Sequence, residues 1–102
     1  MQKIKIIKIN ITAIIKSKPE TIKITEALLT EMAVNSKLET ACIQYDLHQS
    51  VEEPERFFFH EIWDNEEDLA LHNEKPYIRK FVDKASEILS EKPQIYRTNK
   101  IY

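Results

Sequence analysis

The segment Arg56–Trp63 constrains the fold most, because it alternates like a β-strand yet is apolar on both faces. One face carries Phe57, Phe59, Glu61 and Trp63, and the other carries Phe58, His60 and Ile62. Monomers seldom leave a large apolar patch in contact with water. The sheet that contains this strand therefore needs cover on both sides.

Similar alternation predicts three more strands. The odd positions from Ile7 to Ile15 are all apolar, and residues 41–48 place Ala41, Ile43, Tyr45 and Leu47 on one face and Cys42 on the other. The segment 41–48 pairs with Arg56–Trp63 as an antiparallel hairpin with a long loop. The last nine residues, 94–102, are rich in Ile and Tyr and are predicted to form a terminal strand.

Helices are predicted between these strands. Pro19 begins one that runs to about Asn35, with Ile24, Leu28 and Met32 at a spacing of four residues and Leu29 and Ala33 beside them. Asp64 is predicted to cap a short helix that ends near residue 73, with Glu67 at the reciprocal capping-box position. A further helix begins at residue 76 and carries an apolar stripe up to residue 89.

This order of elements predicts a single domain, residues 1–102, of the α+β class. The economical arrangement is a ferredoxin-like split βαβ sandwich, a four-stranded antiparallel sheet with helices on one face. Phe58, Ile62, Ile4 and Ile6 would then lie on the open face of the sheet. A homodimer that buries this open face is the expected partner arrangement.

Composition excludes several classes of function. The chain has no glycine, so nucleotide-binding glycine loops, the serine nucleophile elbow and the calcium loop are absent. The net charge of −2 argues against a nucleic-acid surface or a polybasic membrane patch. Cys42 is the only cysteine, and no secretion signal or membrane-spanning run is apparent, so a cytoplasmic location is expected.

The histidines give no recognised metal motif. His48, His60 and His72 are twelve residues apart, and Asp64 stands where a zinc-binding HExxH motif starting at His60 needs its second histidine. We therefore expect no metal and no cofactor. His48 is predicted to be a surface residue and His60 an interface residue.

Two ionisable residues are predicted to face the helices. Glu61 shares a strand face with Trp63, so its carboxylate must be paired, hydrogen-bonded or shifted in pKa, and it either stabilises the fold or serves the site. Trp63 is either core or pocket lining. His72, three residues after Leu69, faces inward, where it is either a general base or a cap of its own helix.

These residues carry a family resemblance that covers nearly the whole chain. The run from Phe59 through Glu61, Trp63 and Asp64 to His72, which contains the pattern E-x-W followed by His nine residues after the Trp, resembles the antibiotic biosynthesis monooxygenase (ABM) domain family. The resemblance implies a dimeric α+β barrel of ferredoxin-like subunits. It also implies oxidation of phenolic or quinol-type aromatics by molecular oxygen without flavin, haem or metal, although other members process signalling metabolites or degrade haem.

The chain departs from the family pattern at three places. Tyr77 stands where many relatives carry a histidine, and Phe59 stands where an antibiotic-tailoring member has an asparagine. The helix over residues 76–89 lacks the histidine that the haem-degrading branch uses as an axial ligand, which argues against haem.

The resulting hypothesis is a cofactor-independent monooxygenase. His72 is the expected base, Trp63, Phe57 and Phe59 line the cavity, and Glu61 fixes the local structure. The side chains of Asn10, Tyr45 and Tyr77 orient polar groups of the substrate. The alternatives are a ligand-binding or stress-response dimer without catalysis, and an enzyme that processes a small signalling metabolite.

Overall fold

The computed structural model describes residues 8–102, which form one layer of helices on one four-stranded antiparallel sheet. The strands are β1 (Ile9–Lys16), β2 (Cys42–Gln49), β3 (Arg56–Trp63) and β4 (Gln94–Thr98). The helices are α1 (Ile22–Ser36), α2 (Glu66–His72) and α3 (Pro76–Ile88), with a 3₁₀ turn at Pro19–Thr21. The predicted ferredoxin-like α+β class is confirmed. The predicted positions of Ile4, Ile6 and Ile7 lie outside the described residues.

The sheet has the strand order β2-β3-β1-β4, with β3 and β1 at its centre. The predicted antiparallel β2–β3 hairpin is present, and Tyr45 lies opposite Glu61 in it. Side chains at Ile11, Phe59 and Trp63 point to the helices and are buried. We call this helix-covered side the inner face of the sheet and the opposite side the outer face.

A β-bulge near the start of β2 makes the observed strand register differ from the predicted one. The pairing steps from Cys42 opposite Trp63 to Gln44 opposite Ile62, which leaves Ile43 without its own partner. As a result Ile43 is 51% exposed, and Cys42 shares the inner face with Tyr45. The prediction that Ile43 shares the face of Tyr45 and that Cys42 lies on the opposite face is therefore wrong.

The helix α1 buries most of the predicted apolar face, but at its first turn Thr25 is buried in place of Ile24. Thr25, Leu29, Met32 and Ala33 are buried, whereas Ile24 is 55% exposed. The reason is a polar cluster under the first turn, where the buried Ser17 hydroxyl lies 2.8 Å from that of Thr25. Burying Thr25 is possible because its hydroxyl has this partner.

The N-cap of α2 is Asn65, one residue later than predicted. Its side-chain oxygen accepts a hydrogen bond from the Asp68 backbone N–H at 2.8 Å, and its amide donates to the Asp68 carboxylate. Asp64 instead accepts a hydrogen bond from Lys8 at the surface. Asn65 and Asp68 thus replace the predicted Asp64–Glu67 capping box, and they place His72 in the last turn of the helix.

The strand β4 is shorter than predicted and lies at the edge of the sheet. It ends at Thr98, and each of its five side chains is exposed. Ile95 and Arg97 lie on the inner face of the sheet but are exposed, and both border an opening between sheet and helices. None of the helices in residues 8–102 is long and apolar enough to cross a membrane.

Candidate functional site

A cavity of about 410 Å³ lies between the inner face of the sheet and the helices. Its floor is formed by buried side chains of β1 and β3, including Ala13 and Phe59, and α3 contributes Ile78 and Phe81. The exposed residues of its wall mark the opening, namely Asn73, Arg79, Val82, Ile95 and Arg97. The volume lies in the usual range for small-molecule sites, and the wall is mostly apolar.

His72 lies in the wall of this cavity, and the carboxylate of Glu39, which does not line the cavity, holds its imidazole. Its Nδ1 atom is 2.7 Å from Glu39 Oε2, and the two side chains are only 4% and 14% exposed. The Tyr77 hydroxyl donates a hydrogen bond to the same Glu39 oxygen. Burial lowers the pKa of His72 below its usual 6.5, although the hydrogen bond to Glu39 acts in the opposite direction. The imidazole is therefore neutral at pH 7.

Aromatic rings hold the His72 imidazole in place from two sides. The Trp63 ring centroid is 4.2 Å from that of His72, and the Tyr45 centroid is 5.7 Å away. Tyr45 and Trp63 also contact each other edge to face, with centroids 6.2 Å apart. These contacts leave the imidazole little rotational freedom, which favours a defined direction of proton transfer.

Glu61 is the second titratable group of the cavity wall. Burial raises its pKa to about 7, against the opposing effect of a 2.8 Å hydrogen bond from Trp63 Nε1 to its Oε1 atom. The negative charge of Glu39 raises this pKa further. A neutral imidazole and a carboxyl that titrates near pH 7 thus face one apolar space, which is a common arrangement in acid-base sites.

Glu61 should make the protein less stable as the pH rises. The pKa of the Glu61 carboxyl is about 7 in the folded chain and an ordinary 4.5 in the unfolded chain. Below pH 4.5 the carboxyl is protonated in both states, and as the pH rises from 4.5 through 7 the folded protein loses stability because its buried carboxyl must ionise. The ionised group then costs the folded state about 3 kcal/mol. We expect Glu61→Gln to raise the free energy of unfolding at pH 8 by up to about that amount.

Denaturant titrations of both proteins at pH 4 and pH 8 measure this effect. The two should be nearly equally stable at pH 4, since a protonated carboxyl and an amide both accept the Trp63 hydrogen bond. His72 acts in the opposite direction: its pKa is lowered, so its contribution is lost as the pH falls below 6.5 in either protein. A Glu61→Gln protein equally destabilised at both pH values would contradict the assignment.

The structure brings together part of the predicted site. His72, Phe59, Glu61 and Tyr45 all line the cavity. The predicted inward direction of His72 is confirmed by its 3% exposure. The catalytic and binding roles of these residues remain predictions.

Four predicted site residues do not line this cavity. Trp63 and Phe57 are on the inner face and buried, with Trp63 packed against His72, so they support the site without forming its wall. Asn10 lies opposite Ile62 on the outer face and does not line this cavity, and its role in orienting the substrate stays a prediction. Tyr77 points to Glu39 and borders a separate surface recess.

Sequence reasoning missed Glu39, the hydrogen-bond partner of His72. It lies in the connection between α1 and β2, 33 residues before His72, and nothing in the local pattern separates it from the other surface glutamates. Cys42 was likewise placed on the wrong face. It belongs to the inner side, where burial raises the pKa of its thiol to about 11 and makes it a poor nucleophile.

Metal ligands are not grouped in the described part of the chain. Within residues 8–102, no set of three or more His, Cys, Asp or Glu side chains is arranged to hold a metal ion.

Comparisons with known proteins agree with this geometry. A family model described as "Antibiotic biosynthesis monooxygenase" matches residues 9–84. The Bacillus subtilis protein named "Putative monooxygenase YcnE" is 36% identical over 89 residues, which cover 84% of this chain and 90% of that protein. The Synechocystis protein named "Uncharacterized protein sll1783" is 32% identical over 81 residues, or 79% of this chain. The chain spans only 55% of the length of that relative.

Solved structures share the whole fold. The crystal structure of PA3566 from Pseudomonas aeruginosa has a TM-score of 0.89 and 22% identity, with 99% of this chain and 100% of that one covered. The structure titled "Putative antibiotic biosynthesis monooxygenase from Nitrosomonas europaea" has a TM-score of 0.86 and 17% identity, covering 99% and 97%. At these identities the likeness establishes the arrangement of helices and strands.

Proposed function

The chain belongs to the antibiotic biosynthesis monooxygenase family, and on this basis we propose that it is a cofactor-independent monooxygenase of small phenolic or quinol-type aromatics. The observation that carries the proposal is the neutral, buried His72 imidazole in the wall of an apolar cavity of about 410 Å³. An electron-rich aromatic needs only a base and a dry, oxygen-accessible space to react. Oxygen uptake with an anthrone by metal-free protein tests the proposal.

The proposed reaction starts with proton removal by His72. A substrate such as an anthrone has an acidic CH₂ group, and His72 Nε2 takes one of its protons. The carbanion passes one electron to O₂, and the resulting radical and superoxide combine to a peroxide at the same carbon. Return of the proton from His72 and loss of water give the ketone, so CH₂ and O₂ become C=O and H₂O.

The remaining cavity residues position the substrate in this proposal. Tyr45 is 1% exposed, and burial raises the pKa of its hydroxyl, so in this proposal the hydroxyl stays protonated and is the donor to a substrate oxygen. Trp63 donates a hydrogen bond to Oε1 of Glu61, which leaves Oε2 for the substrate. In its protonated form the Glu61 carboxyl donates a hydrogen bond from Oε2 to a substrate oxygen. Phe59 supplies an apolar floor against which an aromatic ring packs.

The outer face of the sheet is the proposed dimer surface. Phe58 and Ile62 of β3 lie there with Ile14 of β1 and Tyr96 of β4, and each is at least partly accessible in the single chain. No described helix covers this face, because all three helices pack on the inner side. A second copy that packs its own outer face here would bury these side chains, in agreement with a family that is typically dimeric.

One feature of the cavity favours a second function. Arg79 and Arg97 stand at its opening, and Arg97 is paired with Glu66 while Arg79 has no ion pair among the described residues. Two guanidinium groups at the entrance suit a small anionic metabolite. Binding of such an anion without oxygen uptake would favour the metabolite-processing or ligand-binding alternative.

A further inference from the structure

His72 separates two spaces in the molecule. On one side is the apolar cavity, and on the other is a surface recess of about 490 Å³ that is bordered by Glu39, Lys75 and Tyr77. Glu39 lies between them, with one carboxylate oxygen bonded to His72 Nδ1 and with 14% of its side chain exposed. The proposed reaction uses the cavity side of the imidazole and leaves this carboxylate without a role.

The hydrogen-bond pattern determines which imidazole nitrogen carries the proton. An ionised carboxylate only accepts hydrogen bonds, so Glu39 Oε2 requires a donor at both of its neighbours. Tyr77 OH is one donor, and His72 Nδ1 is the other, at 2.7 Å. A neutral His72 must then be protonated at Nδ1, which leaves the lone pair on Nε2. Nε2 has no hydrogen-bond partner among the described residues.

We propose that Glu39 is a positioning residue that fixes His72 in the Nδ1–H tautomer and compensates its positive charge while the substrate proton is held on Nε2. The proposal rests on the proposed function, because it gives His72 Nε2 a proton to accept. Tyr77 keeps Glu39 in place through its hydroxyl. No proton needs to leave the site, since the one taken by His72 returns to the departing oxygen.

Among the groups around His72, Glu39 is the charged residue that forms a hydrogen bond with its imidazole. Glu39 raises the pKa of His72, whereas burial and the charge of Lys75 lower it. Trp63, Tyr45 and Tyr77 surround the ring without charge, because burial keeps the pKa of both tyrosines above the usual value. Glu61 faces the same cavity and titrates near pH 7, so tautomer measurements belong at pH 8, where its state is constant.

Nitrogen NMR of the resting protein tests the tautomer without any substrate. With ¹⁵N-labelled histidine, two-bond and three-bond couplings to the ring protons distinguish a protonated from an unprotonated ring nitrogen. At pH 8 we expect His72 to be neutral with its proton on Nδ1. A wild-type His72 protonated at Nε2, or at both nitrogens, would overturn the proposal.

Variants connect the tautomer to turnover. Glu39→Ala should shift His72 toward the Nε2–H tautomer that free histidine prefers, and should lower kcat for an anthrone by on the order of 10² to 10⁴, as expected for a base held in the wrong tautomer. Glu39→Gln can still accept the hydrogen bond from Nδ1 but carries no charge, so it should keep the tautomer and still lose part of kcat. Tyr77→Phe should give a smaller loss than Glu39→Ala.

Glu67→Gln is the matched control. Glu67 is an exposed glutamate on α2, the helix that carries His72, so this variant removes a nearby negative charge without touching the Glu39 contact. It should leave both the tautomer and kcat unchanged. Glu39→Ala with wild-type kcat and tautomer would overturn the proposal, whereas absence of turnover in the wild type would overturn the proposed function alone.

Discussion

We expect His72→Ala to lower the rate of anthrone oxidation by on the order of 10² to 10⁴, the usual contribution of a general base. The imidazole is the proposed base because it is neutral, lines the cavity and is held by Glu39 and Trp63. Oxygen consumption at saturating substrate, measured beside the thermal midpoint of the same variant, separates a catalytic from a structural loss.

Two further histidine variants sharpen this result. His72→Gln keeps a side chain that forms hydrogen bonds but cannot take up a proton at neutral pH, so its activity should also be lost. His48→Ala is the control, since His48 is an exposed histidine on β2 and its removal should leave the rate unchanged. Full activity in both His72 variants would remove this residue from the mechanism. Activity kept in His72→Gln alone would assign it to orientation.

We expect Phe58→Asp to convert a dimer into monomers. The unmodified chain should sediment at twice 12.1 kDa at micromolar concentration, with an interface in the standard range of roughly 1,200 to 2,000 Å² or more. Phe58 lies on the outer face of the central strand β3, so the new carboxylate would be buried without a partner. A cost of about 3 kcal/mol or more weakens association by at least roughly 100-fold.

The Phe58→Asp monomer should stay folded, because Phe58 is outside the core between sheet and helices. Circular dichroism checks this. Ile24→Asp is the matched control: Ile24 is 55% exposed on α1, on the helix side of the molecule, so the same type of substitution there should leave the dimer intact. A wild-type chain that sediments as a monomer would contradict the proposed assembly.

The fold was predictable from sequence because its signals are local and repeated. The strict alternation of Ile9, Ile11, Ala13 and Ile15 identifies β1, and all four are buried as predicted. The two-sided apolar pattern of β3 likewise identifies a central strand, and β3 does pair with a strand on each side. Pro76 marks the start of α3, and Pro19 begins the 3₁₀ turn that leads into α1 at Ile22, because a helix tolerates proline in its first turn.

The details that failed depend on contacts distant in sequence. The bulge at Ile43 reverses the side of Cys42, and alternation alone contains no sign of an inserted residue. Asn65 and Asp64 are both good capping residues, and Lys8, at the other end of the chain, pairs with Asp64.

The candidate site was predictable only in part. His72 and Glu61 were identified because a polar residue on an apolar face stands out in sequence. Glu39 was not, since a glutamate in a connecting loop is ordinary until the fold brings it within 2.7 Å of His72. The face of Asn10 follows from alternation alone: on a strand with one buried face, an even-numbered residue of β1 points away from the helices.

Oxidation under isotopically labelled oxygen tests the central claim, that the protein is a cofactor-independent monooxygenase, most directly. Protein freed of metals by chelation is mixed with an anthrone under ¹⁸O₂, and the product is analysed by mass spectrometry. We predict oxygen uptake equal to the ketone formed, with one ¹⁸O atom in the new carbonyl and no dependence on added metal or flavin. A product without ¹⁸O, or no uptake above the rate without protein, would contradict the account.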